Sequence, residues 1–250
     1  MIGMLRWKDS REGKRQRSVQ TAERSVLHVR FLCVEISRRP RTPETVLRRR
    51  VAAAGRRMQK LGVTRAVLPE GFAYGQQLGK YGVTPVSTLA LRRSLAADWV
   101  RWSLAEKGIP SGGARVAVTA AQLTGEVVRT VTELVLRHRY VLLDLPYGGE
   151  ELAKQLRREY GVSLLLGPSR EQLEGAEALV AFDREPEVRG PVVIPLYETA
   201  VTALPPLVLP EVLEERLPAG VDREQLLAAL QEAGALRRGQ ISMAAGTACP

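Results

Sequence analysis

Two aspartates, Asp144 and Asp183, each stand at the end of an apolar run, in YVLLD and ALVAFD. Paired carboxylates serve as general acid and base when their surroundings hold them in different protonation states, and these two form the candidate catalytic pair. The same positions suit a second role, as strand-end residues that cap a nearby turn. Thr119, Gln122 and Thr124 follow another apolar run, ARVAVTA, and would supply hydroxyl and amide donors to a bound molecule. Ser169-Arg170 sets one hydroxyl and one cation at a helix start, the pattern of a phosphate contact and equally of a helix cap beside a surface arginine. Glu70, Tyr147 and Glu198 also follow apolar runs, and EGFAY (Glu70–Tyr74) reads as a pocket wall.

Other chemistries are missing their residues. His28 and His138 are the only histidines, far in sequence from Cys33 and Cys249, and no HExxH or CxxC pattern occurs, so no metal site is expected. Gly79-Lys80 lacks the upstream glycine of a P-loop, and there is no Gly-x-Ser-x-Gly elbow. Gly148-Gly149 opens a helix, but Glu150 and Glu151 in its first turn already complement the helix dipole and would repel phosphate. His138 reads as a cation at a helix C-terminus and Cys33 as a small core residue.

The elements that carry these residues alternate. Val29–Ile36 is a strand; Pro43–Leu61 is a helix with an apolar stripe at Leu47, Val51, Ala54, Met58 and Leu61; Val63–Pro69 is the next strand. A longer helix spans Leu89–Lys107, and Pro110–Gly113 reads as a linker. Strands over Ala114–Ala120, Tyr140–Leu145, Val162–Leu166, Ala178–Asp183 and Pro191–Tyr197 alternate with helices over Thr124–His138, Gly149–Tyr160 and a short one with a Ser169/Gln172 capping box. LGVT, YGVT and YGVS (from Leu61, Tyr81 and Tyr160) recur after helical stretches, with glycine closing the helix and valine opening the strand. Short helices over Pro210–Leu217 and Asp222–Ala233 form a tail that ends loosely over Ser242–Pro250. Apolar strands alternating with helices predict an α/β fold with parallel sheets. The expected pieces are a basic mobile arm (1–25), an N-terminal αβ lobe (26–109), a Rossmann-like lobe (110–205) and a helical tail (206–250).

Residues 114–183 resemble the nicotinamide-binding lobe of shikimate dehydrogenases and glutamyl-tRNA reductases. The resemblance rests on the order of elements, on the helix Glu150–Tyr160 before Gly161-Val162, and on AEALV at Ala176–Val180. It implies a dinucleotide site whose first turn carries three glycines. Here that turn reads TAAQLTG, with Thr119, Ala121 and Thr124 in the glycine positions, and no Gly-x-Gly occurs in the chain. Asp144, 25 residues after Thr119, stands where an acidic residue would hold a ribose. Without the glycines, NAD(P) is disfavoured and no cofactor is expected.

The charge is uneven. Residues 1–65 hold 18 Lys/Arg against 5 Asp/Glu, a net of +13, and the remainder nets −3. Arg49, Arg56 and Lys60 fall together on the face of the first helix opposite its stripe, where they predict weak, salt-sensitive polyanion binding. The longest charge-free stretches, Thr199–Pro210 and Gly239–Pro250, have 12 residues, too few to span a membrane. With two cysteines and no apolar leader, the expected location is the cytoplasm. Three functions follow: a Rossmann-like binder of a small ligand or protein partner without redox chemistry, an NAD(P)- or nucleotide-dependent enzyme with an atypical phosphate turn, or a nucleic-acid-associated protein using its basic N-terminal third. The first is the expectation carried forward, with its ligand at the carboxyl ends of the strands.

Overall fold

Order starts at Ile2. The computed structural model describes residues 1–9, 18–199 and 202–244, and in it Ile2–Asp9 is a strand, β1. Of the arm expected over residues 1–25, this corrects the part over Ile2–Asp9. β1 runs parallel to β3 (Val29–Arg38), from Ile2 opposite Phe31 to Asp9 opposite Arg38, with Met4 and Leu5 fully buried. Between them in sequence, β2 (Val19–Val26) folds back antiparallel on β3 through a two-residue turn at Leu27-His28. Both turn residues have positive φ, the hand a tight hairpin requires, here without glycine or asparagine. The expectation failed because composition was averaged over 25 residues, merging apolar IGMLRW with the basic stretch after it. Lys14–Arg17, the most basic part, lies outside the described residues.

The charges of these strands find partners. Glu35 on β3 accepts Lys8 Nζ from β1 at 3.0 Å and Arg24 from β2 at 3.1 Å. β2 is otherwise polar, as an edge strand must be if it is not to recruit further strands. The helix α1 (Glu44–Lys60) crosses to β4 (Arg65–Val67), which pairs with the other side of β1; the short α2 (Gly75–Gly79) leads to β5 (Thr84–Pro85). The sheet order is β2-β3-β1-β4-β5. Val51, Ala54 and Met58 of the α1 stripe are buried, while Leu61 sits past the last turn and is exposed. α1 comes close enough to Tyr81 that a Cβ on Gly55 would lie 2.5 Å from its ring.

The chain divides into two units: Met1–Thr88 with Leu209–Gln240, and Leu89–Val208 with Ile241–Pro250. The segment expected as a tail therefore splits. Helix Arg223–Glu232 joins the first unit, where the Gln225 side chain accepts the Leu68 N–H at 2.9 Å and Glu232 forks onto Arg65 at 2.9 and 3.0 Å. Ser242–Met243, expected to be loose, pairs instead with Leu207–Val208 in the second unit. The expected linker Pro110–Gly113 lies inside the second unit, and the break falls near residue 88.

In the second unit the helices α3 (Leu89–Ser94) and α4 (Ala96–Glu106) precede β6 (Arg115–Thr119), α5 (Gly125–Val135), β7 (Tyr140–Asp144), α6 (Gly149–Tyr160), β8 (Leu165–Leu166), α7 (Arg170–Glu174), β9 (Ala178–Ala181) and β10 (Val192–Pro195). All strand pairs of this sheet are parallel, in the order β10-β9-β6-β7-β8. Its central strands, Val116–Val118 and Ala178–Ala181, are buried throughout, as strands covered on both faces must be. Gly62, Gly82 and Gly161 of the recurring phrase have φ of 70°, 70° and 69°, each in the left-handed conformation that ends a helix. No helix among the described residues is long and apolar enough to cross a membrane.

Candidate functional site at the carboxyl ends of β6, β7 and β9

The strand order of the second sheet reverses at β6. From it the chain winds outward through β7 and β8, then returns to β9 on the other side and continues to β10. Counted in chain order, this is 3-2-1-4-5, the doubly wound order of dinucleotide-binding sheets, whose ligands sit where the order reverses. The unit is Rossmann-like. At that point a cavity of about 420 Å³ opens, lined by Thr119, Ala120, Ala121, Asp144, Pro146, Asp183 and Arg184.

The turn after β6 fixes its floor. Ala120 N–H donates to the Asp144 carbonyl at 3.1 Å, and Phe182 N–H to the Thr119 carbonyl at 3.0 Å, so the three strand ends are tied together. The Ala121 N–H donates to the Asp183 carboxylate at 2.5 Å. Thr124 caps α5, its hydroxyl accepting the Val127 N–H at 3.3 Å. The Ala120, Ala121 and Val127 amides are thus taken by the chain's own acceptors. Leu123 packs close on the loop after β7: a Cβ on Gly148 (φ +81°) would come within 2.9 Å of its side chain.

Of the two candidate acids, Asp183 is committed to this turn, the capping role weighed against catalysis. Asp144 is exposed, and its carboxylate makes no hydrogen bond to a described residue. With Arg184 as the one lining cation, the cavity nets one negative charge.

Other predicted residues scatter. Gln122 and Tyr147 are exposed on the loops beside the cavity without lining it; Tyr147 is 84% exposed. Glu198 is exposed past β10. Ser169 and Arg170 are absorbed by α7: the Ser169 hydroxyl accepts the Gln172 N–H in the expected capping box, and Arg170 pairs with Glu174 at 2.9 Å. Glu70 belongs to the first unit and is not among the residues that line this cavity. Phe72 and Tyr74, read as a pocket wall, pack instead on Trp7, with ring centroids 5.7 and 6.2 Å away.

Arg93 of α3 was missed by the sequence reading. Its guanidinium donates to the carbonyls of Leu196 (3.0 Å) and Phe182 (3.1 Å), pairs with Glu126 at 2.8 Å and lies 5.6 Å from the Phe182 ring. It braces the ends of β9 and β10 against α5. An arginine in a run of helix-forming residues carries no sequence signal for carbonyls a hundred residues away.

His138 is 3% exposed rather than a solvated cation. Burial pushes its pKa below the ordinary value, only partly opposed by its bond to the Ser111 carbonyl at 2.8 Å, with a small further lowering from Arg137. Burial likewise raises the Cys33 thiol, as a core role predicts. No group of three metal-ligating side chains occurs among the described residues.

No family model matches the chain, and no curated protein matches it. Solved structures with partial likeness include L-tryptophan dehydrogenase from Nostoc punctiforme (14% identity, 66% of this chain and 50% of that one, TM-score 0.33). The catalytic subunit of M. jannaschii aspartate transcarbamoylase has 14% identity over 59% of this chain and 51% of its own, with a TM-score of 0.28. Shikimate 5-dehydrogenase from Listeria monocytogenes has 10% identity over 60% and 58%, with a TM-score of 0.27. The chain spans about half the length of these proteins. Scores this low carry none of their activities to it.

Proposed function

We propose that the chain binds a small ligand rich in hydrogen-bond donors, an amine or amino alcohol, in the acidic cleft of its second unit, without nicotinamide redox chemistry. The observation that carries this reading is the Asp183 carboxylate on the Ala121 N–H. It occupies the first turn with an internal anion, where a pyrophosphate would otherwise approach the backbone. A phosphate entering there would meet Asp183 and Asp144 at short range, against the single compensating charge of Arg184. A cation or multiple donor meets the opposite situation: Asp144 is exposed and uncommitted among the described residues, and Thr119 adds a hydroxyl. Should the bound molecule react, Asp144 is the carboxylate free to exchange a proton with it.

Backbone-amide NMR tests the reading with a panel of ethanolamine, putrescine and glucosamine set against pyrophosphate and ADP. Members of the amine set are expected to shift the amides of Thr119, Ala121 and Asp144, and Asp144→Asn to weaken them at least tenfold. Shifts of the same amides by pyrophosphate or ADP, with the amines silent, would overturn it.

A further inference from the structure

The opposite end of the same sheet carries a second, chemically different opening. The ladder between β7 and β8 exists only at Leu142–Leu165 and Leu143–Leu166. One and two residues earlier the strands part, so that Tyr140–Val141 and Ser163–Leu164 do not pair, and a groove of about 770 Å³ lies between them. Its walls are apolar, including Val135, Val141, Val162 and Leu165, and Tyr140 and Leu165 are nearly half exposed at its mouth. Its charged lining is of one sign. Arg115 is engaged by Glu177, whose carboxylate accepts the Arg115 backbone N–H at 2.5 Å and lies 4.0 Å from its guanidinium, whereas Arg139 stacks over the Tyr140 ring at 5.4 Å without a carboxylate partner among the described residues. Neither Asp nor Glu lines the groove.

A polar group is built into the wall. His138 is buried yet lines the groove; its Nδ1 is held by the Ser111 carbonyl, which leaves Nε2 without a partner among the described residues. A neutral ring held this way donates through Nδ1 and accepts at Nε2. An apolar trough with a guanidinium free of carboxylate partners at its rim matches a molecule with an apolar body and one anionic head; the accepting Nε2 offers that head no proton and takes no part in holding it.

We infer that this groove is a binding site for a small monocarboxylate with an aliphatic or aromatic body, separate from the acidic cleft at the other end of the sheet. The apolar body lies along Val135, Val141 and Leu165, and the carboxylate is held by Arg139. Desolvation of the trough supplies affinity, and the charge selects acid over alcohol or amine.

Calorimetry with decanoate, decan-1-ol and decylamine on the full chain tests this. Decanoate is expected to bind at least tenfold tighter than either analogue, and Arg139→Gln, at an exposed position that leaves folding intact, to abolish that preference. Ser163→Trp, which fills the mouth from an exposed loop, is expected to weaken decanoate at least tenfold. Equal binding of acid and alcohol would reduce the groove to unselective apolar surface and overturn the inference. Loss of decanoate binding in Asp183→Asn with Arg139→Gln silent would place the ligand in the other cleft, with the same consequence. So would sedimentation showing a dimer that Ser163→Trp dissociates and decanoate does not, since the occupant would then be a second copy of the chain.

Discussion

The two units each build a five-stranded sheet, and the carboxyl ends of their central strands are finished in opposite ways. In the first, Trp7 at the end of β1 meets Phe72 and Tyr74 from the loop after β4, and Arg38 lies 5.4 Å from the Trp7 ring. Aromatic packing covers the end of β1, while beside it, past the end of β3, a cavity of about 660 Å³ is lined by Arg39, Thr42 and Arg50. In the second, the ends of β6, β7 and β9 carry Thr119, Asp144 and Asp183 and are left open around a cavity. A strand end closed by rings contributes stability, whereas one closed only by short polar residues leaves room for a ligand.

The comparison is most severely tested at β1. Removing residues 2–9 takes out the central strand of the first sheet, with its pairings to β3 and β4 and the Trp7 ring. The first unit is expected to lose its cooperative fold, read as loss of amide protection over 29–38 and 65–67, while protection over 115–119 and 178–181 persists. Retention of protection in both regions would restore the mobile-arm reading. Next in size is the ring cluster itself: Trp7→Ala is expected to destabilise the first unit by about 2–3 kcal/mol in urea denaturation, below the range for a fully buried ring because Trp7 is only partly buried. Thr119→Ala, at the open end of the second unit, is expected to change stability by less than about 1 kcal/mol.

A third effect is pH-dependent and confined to the second unit. Because burial lowers the His138 pKa, the folded state binds its proton less readily than the unfolded chain does. The stability this contributes is fully present above the unfolded value near 6.5 and is lost as pH falls through the lower folded value. His138→Gln is expected to flatten that acid limb in urea titrations at a series of pH values; an unchanged limb would mean that another group carries it. The smallest effect is expected for Asp183→Asn, about 1 kcal/mol or less, since the amide oxygen still accepts the Ala121 N–H at an exposed site.

Legibility in the sequence followed burial. The central strands of the second sheet were readable because both faces are covered, so each is an apolar run, and the capping box at Ser169/Gln172 and the three left-handed glycines follow from local chemistry. β2 was not readable, because an edge strand with exposed charges looks like solvated chain. β1 was lost by averaging over its basic neighbours. Of the candidate site, Thr119, Asp144 and Asp183 were named because strand ends converge in this topology. Arg184 and the Asp183–Ala121 contact were invisible, since a carboxylate meeting an amide 62 residues away leaves no pattern in the chain.

We propose that the Asp183 carboxylate on the Ala121 N–H closes the first turn of the Rossmann-like unit to a dinucleotide. Calorimetric titration of the full chain with NADH and NADPH tests it most directly. The account predicts no saturable heat up to about millimolar cofactor, corresponding to less than about 4 kcal/mol of binding free energy. A dissociation constant in the low micromolar range, with the Ala121 amide shifting on addition, would contradict it.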